Sequence, residues 1–143
     1  MTLAEQLTLV FNNNFVAYFR SHAAHVNITG RNFRSDHKLL QGVYERRQAE
    51  IDKIGEILRT IQEYMPCNIQ DVIADATIPT DTIEGTADEL LETVMMDLEH
   101  LLGDFKDLIM IASEENLEEI SNYAQDQALD LEKSIWMLRS TLE

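Results

Sequence analysis

A single cysteine, Cys67, and only two prolines, Pro66 and Pro79, are present among these 143 residues. One cysteine cannot close an intrachain disulfide, so no covalent framework holds the fold, and a reducing, cytoplasmic setting is the expectation. Basic residues are also scarce, with 11 Lys and Arg against 26 Asp and Glu and a formal charge of -15. Such a surface repels duplex DNA and anionic membranes and favours cations, metal ions included. The densest basic group, Arg46, Arg47 and Lys53, is interleaved with Glu45, Glu50 and Asp52. It reads as a solvated helix face or a dimer seam. The first fourteen residues carry an acid at Glu5, no basic stretch and no long apolar run, so neither a secretion signal nor a membrane span is expected there. Strand patterns, internal repeats and low-complexity tracts are absent as well.

What the chain does have is helical periodicity. Leu3, Leu7, Val10, Phe11, Phe15 and Tyr18 recur on one face and predict a first helix running to about Asn27, before Gly30. A second, from about Ser35 to near Tyr64, carries Leu39, Leu40, Val43, Ile51, Ile54, Leu58 and Ile61 and is stopped by Pro66. Met65 to Gly85 holds both prolines and reads as a connection. Ile69, Val72 and Ile73 predict a helix of about two turns within it. A third long helix starts near Thr86 and ends around Ser113. Asn116 and Glu119 have the form of a capping box opening a fourth, whose face is Ile120, Ala124, Ala128, Leu131, Ile135 and Leu138. The expectation is one all-α domain over residues 1–143. It is a four-helix bundle of the ferritin-like variety, with a long crossover carrying a short helix between helices two and three. That crossover makes the second and third long helices parallel.

On the second helix His37 and Gln41 form one pair and Asp52 and Glu56 another, all within an arc of about 100°. A rise of 1.5 Å per residue separates His37 from Asp52 by about 22 Å, so no single ion can use both pairs of one copy. If two such helices pack antiparallel about a two-fold axis near Arg46 and Arg47, the His37 end of each meets the Asp52 end of the other. The dimer then has two mixed imidazole and carboxylate sites. Both groups are metal ligands, imidazole the softer donor and carboxylate oxygen the harder. The rings must be neutral to bind, so activity is expected to fall in acid.

The run His22-Ala-Ala-His25-Val26-Asn27-Ile28-Thr29-Gly30-Arg31-Asn32-Phe33-Arg34-Ser35-Asp36-His37, continued at Gln41, Asp52 and Glu56, resembles the mini-ferritins of the Dps family. Their pattern is H-x-x-H-W-N-x-x-G-x-x-F-x-x-x-H, then an acid four residues on, an Asp eleven further and a Glu four further. The resemblance extends through the crossover to Ile135-Trp136-Met137-Leu138. It implies a dodecameric hollow shell whose two-fold interfaces share iron-oxidising sites. His25, His37 and Gln41 would come from one subunit, and Asp52 and Glu56 from its partner. It further implies ferroxidase activity, commonly using hydrogen peroxide, a mono-iron or di-iron centre, and storage of ferric mineral that protects against oxidative damage. His25, His37, Asp52 and Glu56 are the expected catalytic residues. Glu115 and Glu118, near the turn into the last helix, correspond to an acidic three-fold pore for iron entry. Two positions depart from the pattern: Gln41 stands for the acid, and Val26 for a Trp beside the site, whose part Tyr44 or Tyr18 would take.

Other residues read more plainly. His22 is expected in solvent and His100 in a structural role. Met95, Met96, Met110 and Met137 are expected in the core, and Trp136 in the core or an interface. An alternative to the enzyme is a Dps-like shell impaired by Gln41 that binds metals or serves as a structural assembly. A DNA-compacting role ranks last, because the chain has no lysine-rich tail.

Overall fold

A computed structural model describes residues 1–143, all of them in helices or their connections. The elements are α1 (Leu3–Asn27), α2 (Phe33–Thr60), the short α3 (Ile69–Asp75), α4 (Ala87–Glu114) and α5 (Glu118–Leu142). No strand forms. Two starts are fixed by reciprocal capping: Thr2 with Glu5 opens α1 and Thr86 with Glu89 opens α4, each side chain satisfying the other residue's free N–H. Asn68 caps α3 by accepting from Gln70 and Asp71.

The end of α2 and the role of Asn116 depart from expectation, and both turn on a left-handed residue. Gln62 has φ of 65°, with Gln62 N donating to Arg59 O at 3.1 Å and Glu63 N to Leu58 O at 3.0 Å. This Schellman closure ends α2 at Thr60, well before Pro66. Asn116, at φ of 60°, does the same for α4, with Leu117 N bonded to Ala112 O at 2.9 Å. Asn116 therefore terminates one helix rather than capping the next. Leu117 is the N-cap of α5, and no side-chain cap is made there.

Contacts along the helices set their directions. His25 meets His37 and Asn14 meets Arg47, so α1 and α2 are antiparallel. Gln6 meets Asp104 and Arg20 meets Asp97, so α1 and α4 are antiparallel too. It follows that α2 and α4 are parallel, as the long crossover requires. One core of 28 buried apolar residues runs through the bundle, with Leu7, Leu40, Leu58, Leu98, Phe105 and Leu138 wholly enclosed.

Asn13 ties the crossover down. Its carbonyl accepts from Thr77 N at 2.8 Å and Ile78 N at 3.1 Å, while its amide donates to Thr77 Oγ1 at 2.8 Å and Asp104 Oδ2 at 2.6 Å. His100 joins through Nε2 and Thr77 Oγ1 at 2.8 Å, the structural part expected of it. The methionines differ from expectation. Met95 packs on the core, but Met96, Met110 and Met137 are exposed, as is Trp136 at 54%. They lie outside the apolar stripes that α4 and α5 turn inward.

Candidate metal centre

The end of α1 and the start of α2 bring two imidazoles face to face. His25 lies in the last turn of α1, where carbonyls lack intrahelical partners. His37 Nδ1 donates to His25 O at 2.7 Å, and His25 Nδ1 donates to His37 O at 2.6 Å. A carbonyl oxygen can only accept, so each Nδ1 carries the proton and each neutral ring keeps its lone pair on Nε2. The rings stack at 3.7 Å with an interplanar angle of 18°. Phe33 packs on His37 at 5.0 Å, which limits ring rotation further. Two Nε2 acceptors are thus held ready by backbone bonds of the kind that orient metal-binding imidazoles.

One turn beyond His37, Gln41 is exposed, and its Nε2 donates to Glu45 Oε1 at 2.8 Å. The amide oxygen is left free. At the far end of the stripe Asp52 and Glu56 are also exposed. Hydrogen bonding to the Asp52 carboxylate, then the like charge of Asp52, pushes the Glu56 carboxyl above the ordinary range. Two neighbouring carboxyls that disfavour each other's charge offer a place where a cation relieves the repulsion. Within one chain the two ends do not meet. Nowhere do three His, Cys, Asp or Glu side chains gather where one metal ion would reach them.

The aromatic surroundings correct one expectation. His22 is half-buried rather than in solvent: it stacks on Tyr44 at 3.9 Å and 5°, and its Nδ1 pairs with Tyr18 OH at 2.9 Å. Tyr44 in turn lies 5.0 Å from the His25 ring. Tyr44 therefore stands beside the imidazole pair and Tyr18 one ring further out, against His22, whereas Val26 is 62% exposed. Spacing had hidden this, because it depends on the register between α1 and α2.

A second correction concerns Arg47, read from sequence as a solvated face or a seam. It is 2% exposed, and its guanidinium bonds Asn14 Oδ1 at 3.2 Å, Gln127 Oε1 at 3.0 Å and Asp130 Oδ2 at 3.2 Å. Burial pushes its pKa down while Asp130 and Glu50 pull it back up. Tyr123 OH donates to Glu50 Oε2 at 2.5 Å, and its own pKa is raised by burial and by that bond. The signal was in the pattern, because position 47 continues the inward stripe of Leu40, Val43, Ile54 and Leu58. Bundles that hold metals internally aim carboxylates and histidines at their centre. Here a fixed cation occupies the interior, which disfavours a metal ion there.

Comparison with known proteins agrees with this fold. A family model described as a ferritin-like domain matches residues 4–143, and the chain belongs to that family. Within it, the chain fits the Dps mini-ferritins. It is 28% identical over 147 residues to the DNA protection during starvation protein of Brevibacillus brevis, covering 99% of both chains. The Helicobacter pylori protein of the same name is 27% identical over 128 residues, covering 89% of each. Among solved structures, a Dps protein from Bacillus brevis superposes with a TM-score of 0.93 at 27% identity, covering 99% of this chain and 95% of that one. A Dps protein from Vibrio cholerae, described as a member of a broad superfamily of ferritin-like diiron-carboxylate proteins, gives 0.93 at 25% identity, covering 99% and 89%. No helix is long and apolar enough to cross a membrane.

Proposed function

We propose that this chain is an iron-storing ferroxidase, a single domain over residues 1–143 that assembles into a hollow shell of twelve copies in the cytoplasm. Its centres lie at two-fold interfaces. Each takes His25, His37 and Gln41 from one copy and Asp52 and Glu56 from the other, and binds its substrate Fe(II) as one or two ions. His25 and His37 hold the ferrous ion through Nε2, while Asp52 and Glu56 favour the ferric state by charge. Two ferrous ions each give one electron, and hydrogen peroxide takes both as its O–O bond breaks. Glu115 and Glu118, exposed where α4 turns into α5, are the candidates for an iron-entry pore. Ferric mineral inside the shell keeps iron away from hydroxyl-radical chemistry.

The observation that carries this reading is the reciprocal bonding of His25 and His37, which readies two Nε2 atoms in a chain that completes no metal site alone. The buried Arg47 adds support, because it disfavours the alternative of a centre inside the bundle.

The neutral side chain of Gln41 favours a second reading, a shell that binds metal or serves structurally without turning iron over, since it brings no charge of its own. Anaerobic Fe(II) loading followed by peroxide separates the two. Ferric absorbance rising much faster than in protein-free buffer supports the enzyme, and no acceleration leaves only the shell. Compaction of DNA is opposed by the charge of -15, and gel retardation at physiological salt is expected to show no shift.

A further inference from the structure

Every strongly buried arginine in this chain has a carboxylate, but one buried carboxylate has neither a cation nor a hydrogen-bond donor. Asp36, in the first turn of α2, is 4% exposed, and no hydrogen bond or ion pair within the chain reaches its oxygens. Asn12 Oδ1 is the one side-chain polar atom shut in completely without a partner. The Asp36 oxygens therefore keep a narrow opening, and it faces a hollow of about 350 Å³ between the start of α2 and the end of α5. Trp136 and the hydroxyl-bearing Ser35, Ser140 and Thr141 line the same hollow. Asp88, at the start of α4, stands near enough to repel Asp36 electrostatically. Within one chain the hollow is thus the only place from which a partner for this carboxylate could come, and an unpaired, partly desolvated charge beside a like charge gains by receiving one.

The lining fits one kind of partner. A carboxylate beside an open indole face receives a guanidinium, which bonds the oxygens in its plane and stacks its face on the ring. The chain has seven arginines. Arg20, Arg46 and Arg47 are ion-paired, and Arg59 sits over the Tyr64 ring. Arg31, Arg34 and Arg139 are exposed and form no ion pair. None of the three reaches Asp36 within its own chain.

We propose that this hollow takes an arginine side chain from a neighbouring copy, with its guanidinium on Asp36 and against Trp136, as a contact that holds the assembly together. The inference rests on the shell reading, and because Asp36 directly precedes the candidate ligand His37 it is tested without metal.

The test is light scattering of metal-free protein, kept in chelator, over a dilution series. Asp36→Asn keeps the side chain's shape and removes its charge. If the carboxylate were unpartnered in the assembly, that change would relieve repulsion and leave the particle as tight or tighter. The proposal expects the opposite: dissociation at a concentration higher by at least about tenfold, with helix content unchanged by circular dichroism. Trp136→Ala shifts dissociation the same way by less. One of Arg31→Gln, Arg34→Gln and Arg139→Gln reproduces the Asp36→Asn shift and adds nothing when combined with it. Assembled wild type with an equally tight Asp36→Asn particle overturns this inference alone, as do three arginine variants without effect, or a shift seen only with divalent metal present. A wild type that stays monomeric removes the shell reading itself.

Discussion

Gln41 and Glu45 stand one turn apart on α2, and the amide of the first donates to the carboxylate of the second at 2.8 Å. The bond turns the Gln41 oxygen away from Glu45 and leaves it as the group's only offering to a metal. A charged acceptor also polarises the amide and makes that oxygen more negative, partly replacing the missing charge.

Gln41→Glu restores a full charge at the centre. Fe(II) or Co(II) binding by titration calorimetry is expected to tighten on the order of tenfold, because a unit charge near 4 Å is worth at most about 4 kcal/mol at an effective dielectric of 20. The apo protein loses roughly a few tenths of a kcal/mol, since a carboxylate at position 41 repels Glu45 at the i, i+4 spacing. Unchanged affinity would place position 41 outside the centre.

Gln62→Gly tests the end of α2. The left-handed backbone at φ of 65° costs a residue with a Cβ about 1 kcal/mol that glycine does not incur. Thermal melting is expected to rise by about 2–4 °C for a chain of this size. Gln62→Val, with its branch at Cβ, is expected to melt below wild type.

Asp104→Asn probes the acid side of the stability curve. Burial holds the Asp104 carboxyl above the ordinary range, although the Asn13 hydrogen bond opposes this. A raised folded-state pKa means that the native chain takes up the proton before the unfolded chain does. The ionised group is therefore a penalty at neutral pH, and it is relieved as pH falls through the folded value towards the unfolded one. Asp104→Asn should stabilise by up to about 1 kcal/mol at pH 7, and the gain should shrink on acidification. Denaturant midpoints at several pH values measure it, and a gain that grows towards acid contradicts this assignment.

The fold was legible where local rules and burial agree. Thr86 with Glu89 marks the start of α4, and Ile69, Val72 and Ile73 mark α3 inside a proline-bounded connection. The bundle's polarity followed from the length of that connection. The end of α2 and the part played by Asn116 were missed because Gln62 and Asn116 close their helices in a conformation usually taken by glycine, and neither residue type announces it. In the candidate centre, the shared stripe of His37, Gln41, Asp52 and Glu56 follows from helical period alone. The stack of His22 on Tyr44 does not, because only the packed register of α1 on α2 brings those rings together. Arg47 lay between these cases. Its position on the inward stripe was visible, but the usual exposure of arginine outweighed it until Asn14, Gln127 and Asp130 were seen to converge there.

The central claim is that each centre is built from two copies, with imidazoles from one and carboxylates from the other. His37→Ala and Asp52→Ala, each inactive alone, are unfolded, mixed in equal amounts and refolded, and peroxide-driven Fe(II) oxidation is then measured. In a mixed pair one interface site loses both partners and the other keeps both. Random pairing therefore returns about a quarter of wild-type activity. Activity no higher than that of either variant alone, in assemblies shown by mass to be hybrids, contradicts the account.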